Sequence, residues 1–128
     1  MLTTAAKIFG TVFLLIGFLG FLPAVAPNGH LFGVFHVNAA HNIIHLLTGS
    51  IALWVGYTGL HASKVFFLTF GVIYGLVSIL GFMAGDRPVL GFIANNMADA
   101  WLHLVIAAVS IGLGLMPEES KVVQRPAH

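Results

Sequence analysis

Asn38-Ala-Ala-His41-Asn42-Ile-Ile-His45 and Asn96-Met-Ala-Asp99-Ala-Trp-Leu-His103 carry the same polar pattern at an offset of 58 residues (99 − 41). Each opens an apolar run of about three helical turns. Asparagine is a strong helix N-cap, and the residues three and seven positions further on return to one helical face. The two stretches therefore predict two helices that begin alike. In an apolar chain, ionisable groups on such helices are costly and mark function by default.

The surrounding composition says what solvent these helices meet. The chain has 128 residues, 7% of them charged, and a mean hydropathy of +1.01. A soluble domain carries about 25% charged residues, so the lipid bilayer is the expected environment and one bundle the expected unit. A net charge of +1 without a basic run excludes nucleic acid as a partner. The absence of cysteine excludes disulfides, thiolate metal sites, iron–sulfur clusters and thiol catalysis.

Four apolar segments, at about 5–22, 39–57, 65–84 and 97–116, are each long enough to cross a hydrocarbon layer of ~30 Å as a helix. Pro23 to Gly29, Thr58 to His61 and Gly85 to Pro88 punctuate them. The predicted fold is all-α: a four-transmembrane-helix bundle in a single domain, 1–128, ending in a short polar tail at 117–128. Lys7, the first apolar run and Ala24-Val25-Ala26 resemble a secretory signal. Pro27 would follow the cut, where cleavage is disfavoured, so the segment is read as a retained helix. Lys7, Lys64, Lys121 and Arg125 fall on one side of this threading and Arg87 on the other. The positive-inside rule then places both termini in the cytoplasm and the two polar patterns near the outer face.

The offset extends beyond the polar residues without a gap. Gly33 matches Gly91, Ala40 matches Ala98, His45-Leu46 matches His103-Leu104 and Gly56 matches Gly114. Thr11 with Thr69, Gly17 with Gly75 and Ala26 with Ala84 continue it upstream. A tandem repeat of two helical hairpins keeps its orientation, so the halves are expected to be related by a pseudo-two-fold along the membrane normal. The second and fourth helices then face each other. Their stripes are His41, His45, Gly49, Ala52, Gly56 and Asp99, His103, Ala107, Ser110, Gly114, whose small residues would permit close approach. The apolar stretches 31–36 and 89–93 are too short to span. They are expected to lie in the outer interface or dip into it as short helices, as lipid anchors or as a lid.

Two readings of the polar cluster follow. In the first, His41, His45, Asp99 and His103 ligate one divalent metal ion, with zinc, iron or copper (or nickel) suited to imidazole and carboxylate donors. Bundle cores commonly build such sites from pairs on facing helices. His36, Asn42, Asn38, Asn96 and His30 would then be outer partners or alternative ligands. In the second, Asn38 and Asn96 are ordinary caps, Asp99 completes a capping box, and the deeper histidines hydrogen-bond between helices. Haem between His45 and His103 fits the ligand count but has no further support. A proton relay through Asp99 and His103 is a thinner alternative. Ser50, Ser78 and Ser110 lie too deep in their helices for a hydrolase with this cluster. His61 and His128 read as loop and tail residues, and Glu118 and Glu119 as solvated.

From Phe35-His36-Val37-Asn38 through His45-Leu46, and again from Asn96 through Leu104, the chain resembles the small bacterial four-helix integral membrane proteins grouped as a domain of unknown function. The resemblance covers nearly the whole chain. It implies a multi-pass protein of the bacterial inner membrane with no assigned activity, so no catalytic residue carries over. The reading favoured here is a binding or sensing protein whose outer-leaflet His/Asn/Asp cluster holds a metal, with a membrane enzyme using that metal or the His/Asp pair as a thinner reading. The alternative is an accessory or scaffold subunit of a larger membrane complex, or a homo-oligomer, in which the cluster is structural or ligates a shared cofactor.

Overall fold

Proline and glycine decide where each helix stops. The computed structural model describes residues 1–118. Residues 119–128, which hold most of the expected tail along with Glu119, Lys121, Arg125 and His128, lie outside the described residues. Helix α1 runs Leu2–Leu19 and ends at Gly20, before Pro23 and Pro27, which cannot continue a helix. Helix α2, Ala39–Thr58, starts on the Asn38 cap. Gly59, at φ 145°, breaks it, and α3 follows at once over Leu60–Ala84. The sequence reading starts this helix at 65. The one-residue corner works because Ser63 Oγ lies 3.2 Å from the Val55 carbonyl and 2.9 Å from that of Gly59, tying the end of α2 to the start of α3. Gly85 closes α3, and Arg87 folds back with its Nε donating to the Ala84 carbonyl at 3.2 Å. Helix α4, Met97–Gly114, starts on Asn96.

The stretches expected as interfacial segments or short helices form two tight hairpin turns. Strands β1 (His30–Leu31) and β2 (Phe35–His36) pair antiparallel, with His30 opposite His36 and Leu31 opposite Phe35. Between them Phe32 and Gly33 take φ of 55° and 72°. In the second half Val89 bridges Ile93, around Leu90 at 53° and Gly91 at 83°. Consecutive positive φ angles match the twist of a hairpin, and no right-handed helix accommodates them. The tips leave Phe32, Val34, Leu90 and Phe92 exposed.

Within the bundle, α1 packs chiefly on α2 and α3 chiefly on α4. A Cβ on Gly10 would lie 2.7 Å from the Gly49 carbonyl oxygen, and one on Gly49 2.7 Å from the Leu14 nitrogen, so these helices touch backbone to backbone. Gly71 meets Ile111 and Ala107, and Gly114 meets Leu68. The small residues expected to bring α2 and α4 together thus serve the two hairpins instead. A helical stripe identifies a face, and the face of α2 below the histidines is covered by α1. The centre is aromatic: Phe9 and Phe13 of α1 interlock with Phe66, Phe67, Phe70 and Tyr74 of α3.

Three of the four helices, α1, α3 and α4, are long and apolar enough to cross a membrane. Their outward faces carry large apolar side chains such as Leu15, Phe18, Leu76 and Val105. Helix α2 matches them in length, and its first two turns carry His41, Asn42 and His45, all buried. At the end of the bundle away from the hairpins, Lys7 lies 4.3 Å from the Tyr57 ring centre and Lys64 stands 3.9 Å from Glu118.

Candidate metal centre

The site is assembled from its two helix starts. Asn38 and Asn96 share one backbone conformation, with φ −145° and ψ −179° at the first and −144° and −178° at the second. Extended backbone at the cap aims each side-chain oxygen at the third residue of its helix. Asn38 accepts from the His41 N–H at 3.0 Å and Asn96 from the Asp99 N–H at 2.9 Å. The amide nitrogens reach across: Asn38 donates to the Phe92 carbonyl at 2.9 Å, and Asn96 to the Val34 carbonyl at 2.8 Å. Each helix start is therefore latched to the hairpin preceding the other.

The equivalent third positions hold different residues and play opposite roles. Asp99 accepts two backbone N–H groups on Oδ2, from Asn96 at 2.9 Å, completing a capping box, and from His36 at 3.1 Å. His41 places Nδ1 2.9 Å from the Ala94 carbonyl oxygen and 3.1 Å from that of His36. Both neighbours can only accept, so Nδ1 carries the hydrogen, and Nε2 of the neutral ring keeps its lone pair.

One turn deeper the third imidazole arrives from α4. One ring nitrogen from each of His41, His45 and His103 lies within 4.8 Å of the others. All three residues are buried, with 3%, 8% and 6% of their surface exposed. Nδ1 of His45 and Nδ1 of His103 have no hydrogen-bond partner. The Phe13 ring meets His45 edge-on at 5.2 Å, and Tyr74 does the same to His103 at 5.2 Å. All four helices therefore contribute: α2 and α4 the imidazoles, α1 and α3 an aromatic floor. Among the described residues, this is the group of three or more His or carboxylate side chains able to hold a metal ion.

The remaining expected residues sit around it. Asp99 lies a turn outward, held by its two N–H donors. His36 contributes its peptide, and its ring stacks on His30 with centroids 4.8 Å apart and planes 6° from parallel. Asn42 is turned toward α1, where its side chain fills the space a Cβ on Gly20 would need. Two residues escaped the sequence reading. Tyr74 carries no signal of its own within its apolar run, and only its contact with His103 distinguishes it. Asn95, 2% exposed, donates to the Gly81 carbonyl at 3.1 Å and that of Gly85 at 2.7 Å, fastening the approach to α4 onto the end of α3. An amide beside Asn96 in an apolar stretch was the available signal.

No curated protein and no solved structure matches the chain. One family model does, described as a domain of unknown function (DUF4383), and it covers residues 3–116. Since that span takes in all four helices and the three histidines, the chain belongs to this family.

Proposed function

We propose that the protein is a membrane-embedded metal-binding protein in which His41, His45 and His103 hold one divalent transition ion near the outer leaflet. The carrying observation is the pair of buried, unpartnered imidazole nitrogens beside a third ring whose protonation its neighbours fix. A buried polar atom without a partner costs about 1–3 kcal/mol, and one ring nitrogen from each of the three histidines lies within 4.8 Å of the others, close enough to share an ion. Nitrogens bound at about 2.0 Å to a tetrahedral ion stand roughly 3.3 Å apart, so modest ring rotations would close the triad. Neutral imidazoles suit zinc, copper, iron or nickel. His41, tethered to two carbonyls, has the outer hydrogen bonds that metal-bound histidines usually make. Asp99 serves as the nearby carboxylate that fixes the His36 peptide and offsets the ion's charge. Haem is disfavoured because the His41 ring stands 4.6 Å from His45 and 5.7 Å from His103, where a porphyrin between those two would need to lie.

The wider reading has four spanning helices in two halves related by a pseudo-two-fold along the membrane normal. Its support is the 58-residue match in cap geometry, in turn geometry and in the crossed Asn38 and Asn96 hydrogen bonds. Helix α2 crosses despite its histidines because they are buried against protein, not lipid. Lys7 and Lys64 at one end against Arg87 at the other favour cytoplasmic termini in a bacterial inner membrane. The role is binding or sensing.

Elemental analysis of gently purified protein tests this. One equivalent of metal per chain, lost in His45→Ala and His103→Ala variants that still fold, is the expected result. A metal-free preparation that takes up no zinc, copper, iron or nickel would sink the proposal. Purification within one large complex, without bound metal, would favour the accessory-subunit alternative.

A further inference from the structure

We infer that His30 and His36 form a second, surface site that captures a divalent ion and passes it inward to the buried triad, an inference that rests on the metal reading above. His30 and His36 are directly opposed across the β1–β2 ladder, so their side chains share one face of the hairpin. Their rings lie side by side and are partly exposed, in contrast to the buried triad. The His30 Nδ1 lies 3.0 Å from the Asn28 carbonyl oxygen, which can only accept. Nδ1 therefore carries the hydrogen, and the other ring nitrogen is left with its lone pair. This arrangement repeats the one at His41: a carbonyl fixes one nitrogen and leaves the second available.

The pair is also joined to the buried site through one residue's backbone. The His36 N–H donates to Asp99, and its carbonyl accepts from the His41 ring. Moving inward, an ion would meet two imidazoles, then the Asp99 carboxylate, then three imidazoles. Two ligands at the surface bind more weakly and release more readily than three in the interior, which gives the sequence a direction. A buried metal site needs a path in as well as ligands. Beside the triad's wall runs the groove between α2 and α3, about 730 Å³, lined by residues such as Ile44, Ile51, Phe70, Ile73 and Tyr74. It is overwhelmingly apolar, and a hydrated dication would have to shed its water there without replacement ligands. The hairpin side is the polar approach.

The test is a loading experiment with cobalt(II), whose visible absorption reports coordination by nitrogen ligands. Full-length protein in detergent, stripped with a chelator, is mixed with cobalt chloride, and the band is followed over time. The His30→Gln/His36→Gln variant is compared with wild type and with His61→Gln, a histidine at the opposite end of the bundle. Substitution spares the His36 peptide, so the bonds to Asp99 and His41 persist, and circular dichroism checks the fold. We expect the same final absorbance in all three proteins, with loading of the double variant slowed roughly tenfold or more, the scale on which partners outside the ligand set act. An unchanged rate overturns this inference and leaves the triad standing. A lower final absorbance at unchanged rate also overturns it, because the pair would then belong to the final site. Failure of the wild type to develop any band overturns the triad reading, and this inference with it.

Discussion

Replacing His103 by phenylalanine should raise the stability of the metal-free protein and abolish its response to metal. His103 is 6% exposed and its Nδ1 is unpartnered, a situation that costs about 1–3 kcal/mol. Phenylalanine removes that atom and keeps an aromatic ring against Tyr74, now 5.2 Å away. Repacking for a swap of similar volume costs less than about 1.5 kcal/mol. The variant in chelator should therefore lie between about 0.5 kcal/mol below wild-type stability and about 3 kcal/mol above it. Saturating metal reverses the order: free ion at one hundred times Kd stabilises the wild type by about 2.7 kcal/mol, whereas a variant with two of three ligands gains little. The assay is unfolding in mixed micelles by denaturing detergent, followed by circular dichroism, with chelator in one series and zinc chloride in the other. Two results would refute the reasoning. A variant less stable than wild type in chelator by more than about 0.5 kcal/mol would mean that the imidazole is already satisfied. Undiminished stabilisation by zinc would remove His103 from the site.

The caps and the glycine crossing give two further expectations under the same unfolding assay. Asn96→Ser keeps an oxygen for the Asp99 N–H and gives up only the bond to Val34, at about 0.5–1.5 kcal/mol. Asn96→Ala forfeits the cap as well, another 0.5–2 kcal/mol or so, and equal losses in the two variants would mean the cap contributes nothing. Gly49→Ala should destabilise by about 1–3 kcal/mol, because its Cβ would meet the Leu14 nitrogen at 2.7 Å and the Gly10 oxygen at 2.8 Å. Gly112→Ala has no atom within 4 Å of its Cβ and should instead gain up to about 1 kcal/mol. The same sign for both would refute the backbone crossing of α1 and α2.

The helices and the depth of the histidines were legible because both depend on local pattern. An 18-residue apolar run and an Asn cap need no knowledge of the rest of the chain. Partners were harder to read. The stripe through Gly49 and Gly56 announced a close contact, yet nothing in its spacing said that α1 would supply it. The hairpins were hidden by their turn residues: Phe32 and Leu90 adopt positive φ, where a sequence reading looks for asparagine or glycine. Asp99 offered two readings in the sequence, as cap and as ligand. Its two backbone donors show the first role, and one of them, the His36 N–H, lies 63 positions away and could not be foreseen.

The difference between His41 and Asp99 says why a duplicated scaffold would stop short of perfect symmetry. On the proposed two-fold, residue 36 corresponds to residue 94, and each third-position side chain reaches a backbone group of that residue in the opposite half, an N–H in one case and a carbonyl in the other. Asp99 takes the N–H of His36, and His41 gives a hydrogen to the carbonyl of Ala94. A carboxylate at both positions would set one of them against two carbonyl oxygens, with no hydrogen to share. Imidazoles at both would offer at most one acceptor nitrogen to the N–H groups of His36 and Asn96, which Asp99 now serves together. One of each satisfies these backbone groups, and the second ring nitrogen of the neutral His41 keeps its lone pair. His45 and His103, which would be equivalent on the same axis, face a shared interior rather than opposite backbones, and nothing there would set them apart. On that two-fold, the triad's odd number of imidazoles would follow from how the two helix starts divide the roles of donor and acceptor.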